Sequence, residues 1–344
     1  MSGRRLSVLL TALIVTLLLL SASAANAEDV CSGCAGVPAD EILAYPAPAV
    51  EQLYADDEIL YDRRYQKVLE AVQIFDAPGG NPVSVLDAGF NYVTVVNSVD
   101  GWTQIGENQW VLADKLRDVL PSRFAGIRLP AELPYPVAWI VDNAIPSVTP
   151  GAEPLEGTLA ILRYTTVNIY ATVHVGEWDW YQVGVDQWVE QRKIARILPV
   201  ERPADVDTEK WVSVDLYEQV AIAYEGSTPV FATLVASGLS DWPTNEGLFH
   251  VYVRFPRTLM SGAEGKLDFY YLQEVPWTMY FDGDIGLHGT YWHDGFGYRH
   301  SHGCVNLSIT DAYWLYNWAA SEIDLTVPSD KGPAVYVYSS GQYT

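Results

Sequence analysis

Residues 288–306 read HGTYWHDGFGYRHSHGCVN, and the interpretation of the whole chain depends on them. A free thiol has a pKa of about 8.5 and is mostly protonated at neutral pH, so a nucleophilic cysteine needs a neighbouring base. His288 and His302 are the candidates. His302 lies two residues before Cys304. Because Gly303 permits a tight turn, this spacing aims the His302 ring poorly at the sulfur but surrounds the sulfur with backbone N–H groups. We therefore predict Cys304 as the nucleophile and His288 as its base.

Chain order excludes the main rival cysteine enzymes. Papain-like and NlpC/P60-type enzymes have their histidine downstream of the cysteine, and no histidine follows Cys304. Two other interpretations stay open. Cys304 could be an inert buried thiol, or a metal site could form from His293, Asp294, His300 and His302, since His-x-His spacing suits two ligands on one strand. No further ligand is placed convincingly, so we expect no metal and no other cofactor.

The six residues Ser301–Asn306 resemble the signature of the L,D-transpeptidase (YkuD-type) family. That signature is a Ser/Thr-His-Gly-Cys box ending in Asn or Arg, preceded by an upstream His-Gly. The resemblance covers about residues 210–338 and is weaker outside the box. Twelve residues separate His288 from Ser301, fewer than is usual in the family. The loop over the site is therefore expected to be short, which bears on substrate preference more than on catalysis.

The resemblance implies a peptidoglycan L,D-transpeptidase that forms cross-links between stem peptides. Cys304 would attack the carbonyl of the third stem-peptide residue, expel the terminal D-alanine and form a thioester. His288 would take the thiol proton and later activate the acceptor amine, while the Gly289 carbonyl would orient the imidazole. The oxyanion would be held by N–H groups of His302, Gly303 and Cys304, with Ser301 as a further support of the turn.

The same resemblance implies ligands and leaves alternatives. Stem peptides would serve as acyl donor and amine acceptor, and carbapenem β-lactams would act as covalent inhibitors. The residues expected to bind substrate are Tyr280, Trp292, Arg299 and Asn306. An L,D-carboxypeptidase would give the same acyl-enzyme to water, and a wall-binding protein would use neither step. The sequence does not separate transfer from hydrolysis.

An internal repeat lies in the first half of the chain. Residues 102–111 (WTQIGENQWV) align without gaps on residues 180–189 (WYQVGVDQWV). Each copy predicts two short strands joined by a turn that contains Gly and Asn or Asp. The pattern resembles tandem bacterial SH3-like barrels, which implies binding to cell-wall polymer, separate from the chemistry at Cys304. The alternative is that the repeated tryptophans are only barrel core.

These features predict a mainly β chain: two SH3-like small barrels followed by a C-terminal L,D-transpeptidase-type mixed β sandwich with at least one helix. The 12 Trp and 22 Tyr residues, with many Val and Thr, favour strands. The predicted boundaries are a signal peptide at 1–27, an N-terminal segment at 28–64, the first SH3-like domain at 65–120, a linker at 121–136, the second SH3-like domain at 137–198, a linker at 199–209 and the catalytic domain at 210–339.

The N-terminus predicts export to the cell wall. Arg4 and Arg5 precede a short apolar run, and small residues at 25–27 suit cleavage; an uncleaved anchor is the alternative. Cys31 and Cys34 form a Cys-x-x-Cys pair, which we interpret as a local disulfide in an oxidising compartment. The formal charge of −23 repels nucleic acid and anionic lipid, so no nucleic-acid partner is expected.

Overall fold

The structure is a computed structural model that describes residues 36–266, 268–320 and 331–342. Within these ranges the chain forms twenty-five strands, three α-helices and two 3-10 turns, so the fold is mainly β, as predicted. The predicted signal peptide and the pair Cys31 and Cys34 lie outside the described residues. No helix among the described residues is long and apolar enough to cross a membrane.

The chain before and within the first unit (residues 65–120) is built from short elements. Before the unit come α1 (Ala39–Ala44), β1 (Glu51–Gln52) and α2 (Asp57–Leu60). The unit itself contains β2 (Tyr65–Val68), β3 (Val72–Phe75), β4 (Pro82–Leu86), β5 (Phe90–Thr94), β6 (Asn97–Val99), β7 (Trp102–Gly106), β8 (Gln109–Leu112) and β9 (Leu116–Asp118). Five of these strands form a sheet in the order β4-β3-β8-β7-β6. The other three, β5-β2-β9, pair separately over a shared core that includes Ile74, Val93 and Val111.

The second unit (residues 137–198) has its own core. Its strands are β11 (Val137–Ile140), β12 (Thr166–Asn168), β13 (Ala171–Val175), β14 (Trp178–Gly184), β15 (Gln187–Glu190) and β16 (Ile194–Arg196), and β10 (Ile127–Arg128) precedes it. They form two three-stranded sheets, β12-β11-β16 and β13-β14-β15. Ile140, Val167, Tyr181 and Ile194 come from both sheets and share one cluster, so the sheets enclose a common core.

The C-terminal unit (residues 210–339) contains two sheets that face each other. Its elements are β17 (Lys210–Asp215), β18 (Val220–Glu225), β19 (Thr228–Leu234), β20 (Gly247–His250), β21 (Val253–Gly262), β22 (Tyr270–Asp282), β23 (Ile285–Gly289), β24 (Val305–Leu307), α3 (Ile309–Ala319) and β25 (Ala334–Tyr338). One sheet has the order β1-β10-β19-β18-β17-β25-β20, and the other runs β24-β23-β22-β5-β2-β9 with β21 on β22. Val214, Leu287 and Leu315 bring both sheets and α3 into one core.

A hairpin, a capped helix and a parallel strand pair define the local structure of this unit. The turn at 225–227 joins β18 to β19 in an antiparallel hairpin. Helix α3 begins after Ser308, whose side chain accepts the Asp311 N–H as an N-cap. The last strand, β25, pairs parallel to β17, whereas β17 pairs antiparallel to β18. The sheet is therefore mixed.

The repeat folds into the same hairpin twice. In β7–β8 and in β14–β15 the register shifts by one residue two positions before the turn. The turn residues Asn108 and Asp186 both have a φ of 53°, a left-handed conformation that Asn and Asp tolerate better than most residues. Assignment of the two units to SH3-like barrels stays a prediction.

The segment at 121–136, interpreted above as a linker, is packed into the C-terminal unit. Its strand β10 pairs with β19 and with β1. The Gly126 N–H donates to the buried Asp311 carboxylate at 2.8 Å. Phe124 and Ile127 are buried in the same cluster as Trp211. The segment thus completes a sheet instead of spacing two independent domains.

Candidate active site

Two neighbouring strands bring His288 and Cys304 to one cavity. Strands β23 and β24 are parallel, with His288 opposite Asn306, and Cys304 lies immediately before β24. His288, Cys304 and Asn306 all line a cavity of about 440 Å³. Residues sixteen apart in sequence therefore meet because their strands pair, with the 289–300 loop as the connection.

His288 is held as a neutral base. Its Nδ1 lies 3.1 Å from the Gly289 carbonyl oxygen, so Nδ1–H donates to that oxygen and the lone pair of Nε2 remains for another proton. Burial lowers the pKa of His288 to about 4, against the opposing effect of the Gly289 carbonyl. The contact is the one that the resemblance assigned to Gly289.

Cys304 is a protonated thiol at neutral pH. Burial, opposed by the Gly286 N–H and assisted by the nearby Asp284 carboxylate, raises the pKa of Cys304 to about 11. The Sγ lies 3.6 Å from the Asp284 carbonyl oxygen. The side chains of Cys304 and His288 are therefore both uncharged near neutral pH.

Hydrogen bonds within the Ser301–Cys304 turn bear on the oxyanion prediction. The Ser301 hydroxyl donates to the Cys304 carbonyl at 2.5 Å and accepts the Gly303 N–H at 3.1 Å. The Gly303 N–H is thus engaged within the turn, leaving those of His302 and Cys304 as candidate donors. Gly303 has a φ of +118°, which only glycine adopts without strain.

His302 lies on the wall of the cavity, where its ring stacks on Tyr270 at 5.7 Å between ring centres and meets Trp242 edge-on at 4.4 Å. Of the predicted substrate residues, Trp292 and Asn306 line the cavity, whereas Tyr280 and Arg299 are not among its lining residues.

The first unit supplies part of the cavity wall, a feature that the sequence analysis missed. Strand β5 pairs parallel to β22, with Phe90 opposite Tyr270, and the Phe90 N–H donates to the Phe269 carbonyl at 2.9 Å. Phe90 and Gly89 consequently line the cavity together with Phe269 and Tyr270. The sequence analysis did not foresee this contact, because pairing between distant strands leaves no motif in the sequence; whether the unit is separate from the chemistry stays a prediction.

The loop after Gly289 is braced on one side by the first unit. Tyr291 is fully buried, and its ring stacks on Tyr65 at 3.6 Å between ring centres. Its hydroxyl donates to the Gln273 carbonyl at 2.7 Å. Trp292 contacts the Tyr92 ring. Strands β2 and β5 therefore hold the segment that follows the proposed base.

The other side of the loop is braced by the second unit. The Asp294 carboxylate accepts hydrogen bonds from the Tyr164 hydroxyl at 3.0 Å and from the Ser122 hydroxyl. Arg163 lies 3.7 Å from the same carboxylate and donates to the Phe296 carbonyl at 3.1 Å. Contacts from the first unit and from the second unit therefore hold the loop from two sides.

The histidines of the loop do not form a metal site. Both ring nitrogens of His293 contact protein groups, Gly295 N–H and the Asn306 side chain, and Asp294 faces Tyr164. Among the described residues no group of three or more His, Cys, Asp or Glu side chains is placed to hold a metal ion.

Comparisons with known proteins place the similarity in the C-terminal unit. Residues 209–337 match the family model of YkuD, the L,D-transpeptidase catalytic domain. "Putative L,D-transpeptidase YciB" of Bacillus subtilis (strain 168) is 30% identical over an alignment of 119 residues, and the match covers 31% of this chain and 59% of that protein. The chain thus spans 59% of the length of the curated relative it matches.

Two of the solved structures with similar chains are of L,D-transpeptidases. The enzyme of Stackebrandtia nassauensis is 26% identical, with a TM-score of 0.29, over 40% of this chain and 58% of that chain. The catalytic domain of the E. faecium L,D-transpeptidase acylated by ertapenem is 24% identical, with a TM-score of 0.31, over 38% of this chain and 97% of that one.

Proposed function

We propose that this chain, whose residues 209–337 match the L,D-transpeptidase catalytic domain, is a peptidoglycan L,D-transpeptidase that works through a Cys304 thioester. The observation that carries the proposal is the neutral base His288, with Nδ1 tied to the Gly289 carbonyl, lining one cavity with Cys304. A base with one committed nitrogen and one available nitrogen is what a neutral thiol needs for attack on an amide carbonyl.

The reaction follows from this pair. As Sγ bonds to the donor carbonyl carbon, its proton moves to Nε2 of His288, and the Gly289 carbonyl stabilises the resulting imidazolium. The His302 and Cys304 N–H groups hold the oxyanion. When the C–N bond breaks, the departing D-alanine amine takes the proton from His288 and leaves a thioester. The acceptor amine then attacks the thioester carbon, gives its proton to His288, and releases Cys304 as the thiol after that proton returns to Sγ.

The proposal extends to ligands and location. Stem peptides serve as acyl donor and amine acceptor, and the N-terminal units bind wall polymer. Carbapenems are covalent inhibitors, because a strained lactam carbonyl offers the thiol the same electrophile as the donor amide. The signal sequence at residues 1–27 directs the chain out of the cytoplasm, where this substrate lies.

The decisive experiment incubates the full chain with disaccharide-tetrapeptide and identifies products by mass. We expect a cross-linked dimer that has lost one D-alanine. Cys304→Ala and His288→Ala should abolish it, because one lacks the nucleophile and the other the base. His174→Ala, at an exposed histidine of the second unit, is the control and should retain full rate. D-alanine release by Cys304→Ala at the wild-type rate would refute the assignment, and free tripeptide without dimer would identify an L,D-carboxypeptidase.

The pH profile tests the neutral pair. Because the pKa of His288 is lowered to about 4, kcat/KM should fall only as the pH drops through about 4, where the imidazole becomes protonated and accepts no proton. Because the pKa of Cys304 is raised to about 11, iodoacetamide alkylation of the resting enzyme should keep rising above pH 9. Alkylation that already reaches a plateau near pH 7 would show a thiolate–imidazolium pair instead.

A further inference from the structure

His293 contacts a side chain of the cavity but does not itself line it. It lies on the 289–300 loop, with its ring 4.2 Å from that of His300 and 5.3 Å from that of Phe296, measured between ring centres. Its Nε2 lies 2.8 Å from the side-chain amide of Asn306, and Asn306 is on the cavity wall beside Cys304. None of the roles assigned above uses His293.

The hydrogen bonds of His293 fix its tautomer. Nδ1 accepts the Gly295 N–H at 2.9 Å, so Nδ1 carries no proton. A neutral imidazole then carries its proton on Nε2. Burial, His300, His288 and Arg163 all lower the pKa of His293, so a second proton does not add. Nε2–H is therefore a donor, and it faces Asn306.

This donor determines which way the Asn306 amide points. The oxygen and nitrogen of a carboxamide are assigned from their hydrogen-bond partners. The structure places Nδ2 of Asn306 at 2.8 Å from Nε2 of His293. Because a donor at Nε2 requires an acceptor opposite, we assign the carboxamide with its oxygen and nitrogen exchanged, so that Oδ1 faces His293. The backbone of Asn306 is held in place, because its N–H and its carbonyl both pair with Ala236, at 3.0 and 2.9 Å. With the backbone fixed and Oδ1 held, the NH₂ group is turned towards the cavity.

We propose that His293 is a positioning residue that holds the Asn306 carboxamide with its NH₂ group towards the Cys304 cavity, where it donates a hydrogen bond to a carbonyl or carboxylate oxygen of the bound peptide. This inference rests on the proposed function for the identity of the ligand, but not for the tautomer. Without His293 the amide is free to rotate and present its oxygen to an oxygen of the substrate, which is repulsive.

The first test reads the tautomer in the resting full-length protein. In ¹⁵N-histidine-labelled chain, long-range ¹H–¹⁵N spectra should show His293 with a protonated Nε2 and a bare Nδ1, unchanged between pH 5 and pH 8. His293→Gln identifies the signal by its loss. A protonated Nδ1, or titration within that range, overturns the inference whatever the enzyme catalyses.

The second test is a double-mutant cycle on transfer activity. His293→Leu should lower kcat/KM about tenfold, chiefly through KM, as expected for one lost hydrogen bond to substrate. Asn306→Ala should do the same, and the double variant should be no worse than Asn306→Ala. His293→Gln, which keeps an N–H donor, should recover most of the loss. His174→Leu is the matched control, and Cys304 alkylation by iodoacetamide should be unchanged throughout.

The outcomes separate the two proposals. Additive losses from His293→Leu and Asn306→Ala, or equal losses from His293→Gln and His293→Leu, overturn the positioning role while leaving turnover by the wild-type chain in place. Absence of turnover by the wild-type chain refutes the proposed function instead. In that case, or if His293→Leu does not fold, the inference is tested by the tautomer of His293 measured in the wild-type chain.

Discussion

The first and second units contain the same hairpin yet attach to the C-terminal unit in different ways. The first unit shares backbone hydrogen bonds with it, since β5 pairs with β22, and it places Phe90 in the cavity wall. The second unit keeps its strands to its own sheets and attaches through side chains. One of these contacts is the ion pair between Arg196 and the buried Glu218. One repeat unit has therefore become part of the site, while the other serves as a brace.

Removing both units should have the largest effect. A fragment that begins at Val206 lacks β1, β5 and β10, which exposes the edges of β19 and β22 to solvent and to other chains. It also uncovers Tyr291 and removes Phe124 and Ile127 from the cluster around Trp211. We expect the fragment to aggregate or unfold without a cooperative transition, as followed by circular dichroism, and to give no transfer product.

The control for this truncation is a chain that begins at Gly36, which keeps every described contact and should melt and turn over like the full chain. A Val206 fragment that folds cooperatively and releases D-alanine at the full rate would contradict the shared-sheet description. The C-terminal unit would then be self-sufficient, and the two units would not differ.

Breaking the ion pair between Arg196 and Glu218 should lower the stability of the protein but not its activity. Arg196 donates to Glu218 through Nε at 2.7 Å, and Glu218 is 6% exposed. Arg196→Leu leaves a buried carboxylate without its cation and should lower the free energy of unfolding by about 3–5 kcal/mol. Arg196→Leu/Glu218→Leu should recover much of the loss, as measured by urea unfolding, and kcat/KM of the folded variants should stay within about twofold.

The free energy of unfolding that Arg196→Leu loses should depend on pH, because Glu218 titrates. Burial raises the pKa of this carboxyl despite Arg196, and removing the cation raises it further. A folded-state pKa above the unfolded value contributes stability at low pH that is lost as the pH rises through the folded-state pKa. The loss of unfolding free energy caused by Arg196→Leu should therefore be smaller at acid pH. A deficit that is constant with pH, or kcat/KM that falls with stability, would show that the second unit acts on the site as well.

Sequence reasoning reached the features that short segments encode. The repeated hairpins follow from Gly and Asn or Asp at fixed positions, and the proximity of His288 to Cys304 follows from a motif whose strands pair locally. The sequence did not predict that β5 crosses to β22, or that residues 121–136 complete a sheet. Such pairings depend on which strand edges remain unsatisfied in the assembled chain, and no local pattern records them.

The engagement of the Gly303 N–H within its own turn is likewise not visible in the sequence. A Ser-His-Gly-Cys box indicates that several N–H groups surround the sulfur, but it does not show which of them donates to the Ser301 hydroxyl. Only the distances of 2.5 and 3.1 Å show that this hydroxyl bridges the turn. Likewise, the orientation of Asn306 depends on the tautomer of His293, which the Gly295 N–H sets and the sequence spacing does not reveal.

The smallest predicted effect tests whether the first unit contributes contacts to substrate as well as support. Phe90 is 37% exposed and lines the same cavity as His288 and His302. Phe90→Ala should lower kcat/KM for disaccharide-tetrapeptide about tenfold, because an apolar contact of roughly 1–2 kcal/mol with the bound peptide is lost. The alkylation rate of Cys304 by the small reagent iodoacetamide should not change, since that reagent does not span the cavity. Val85→Ala, at a 59% exposed apolar residue of the same unit outside the cavity lining, is the matched control. If Phe90→Ala and Val85→Ala give the same kcat/KM, the first unit only supports the fold, and both repeats are braces that differ in strength alone.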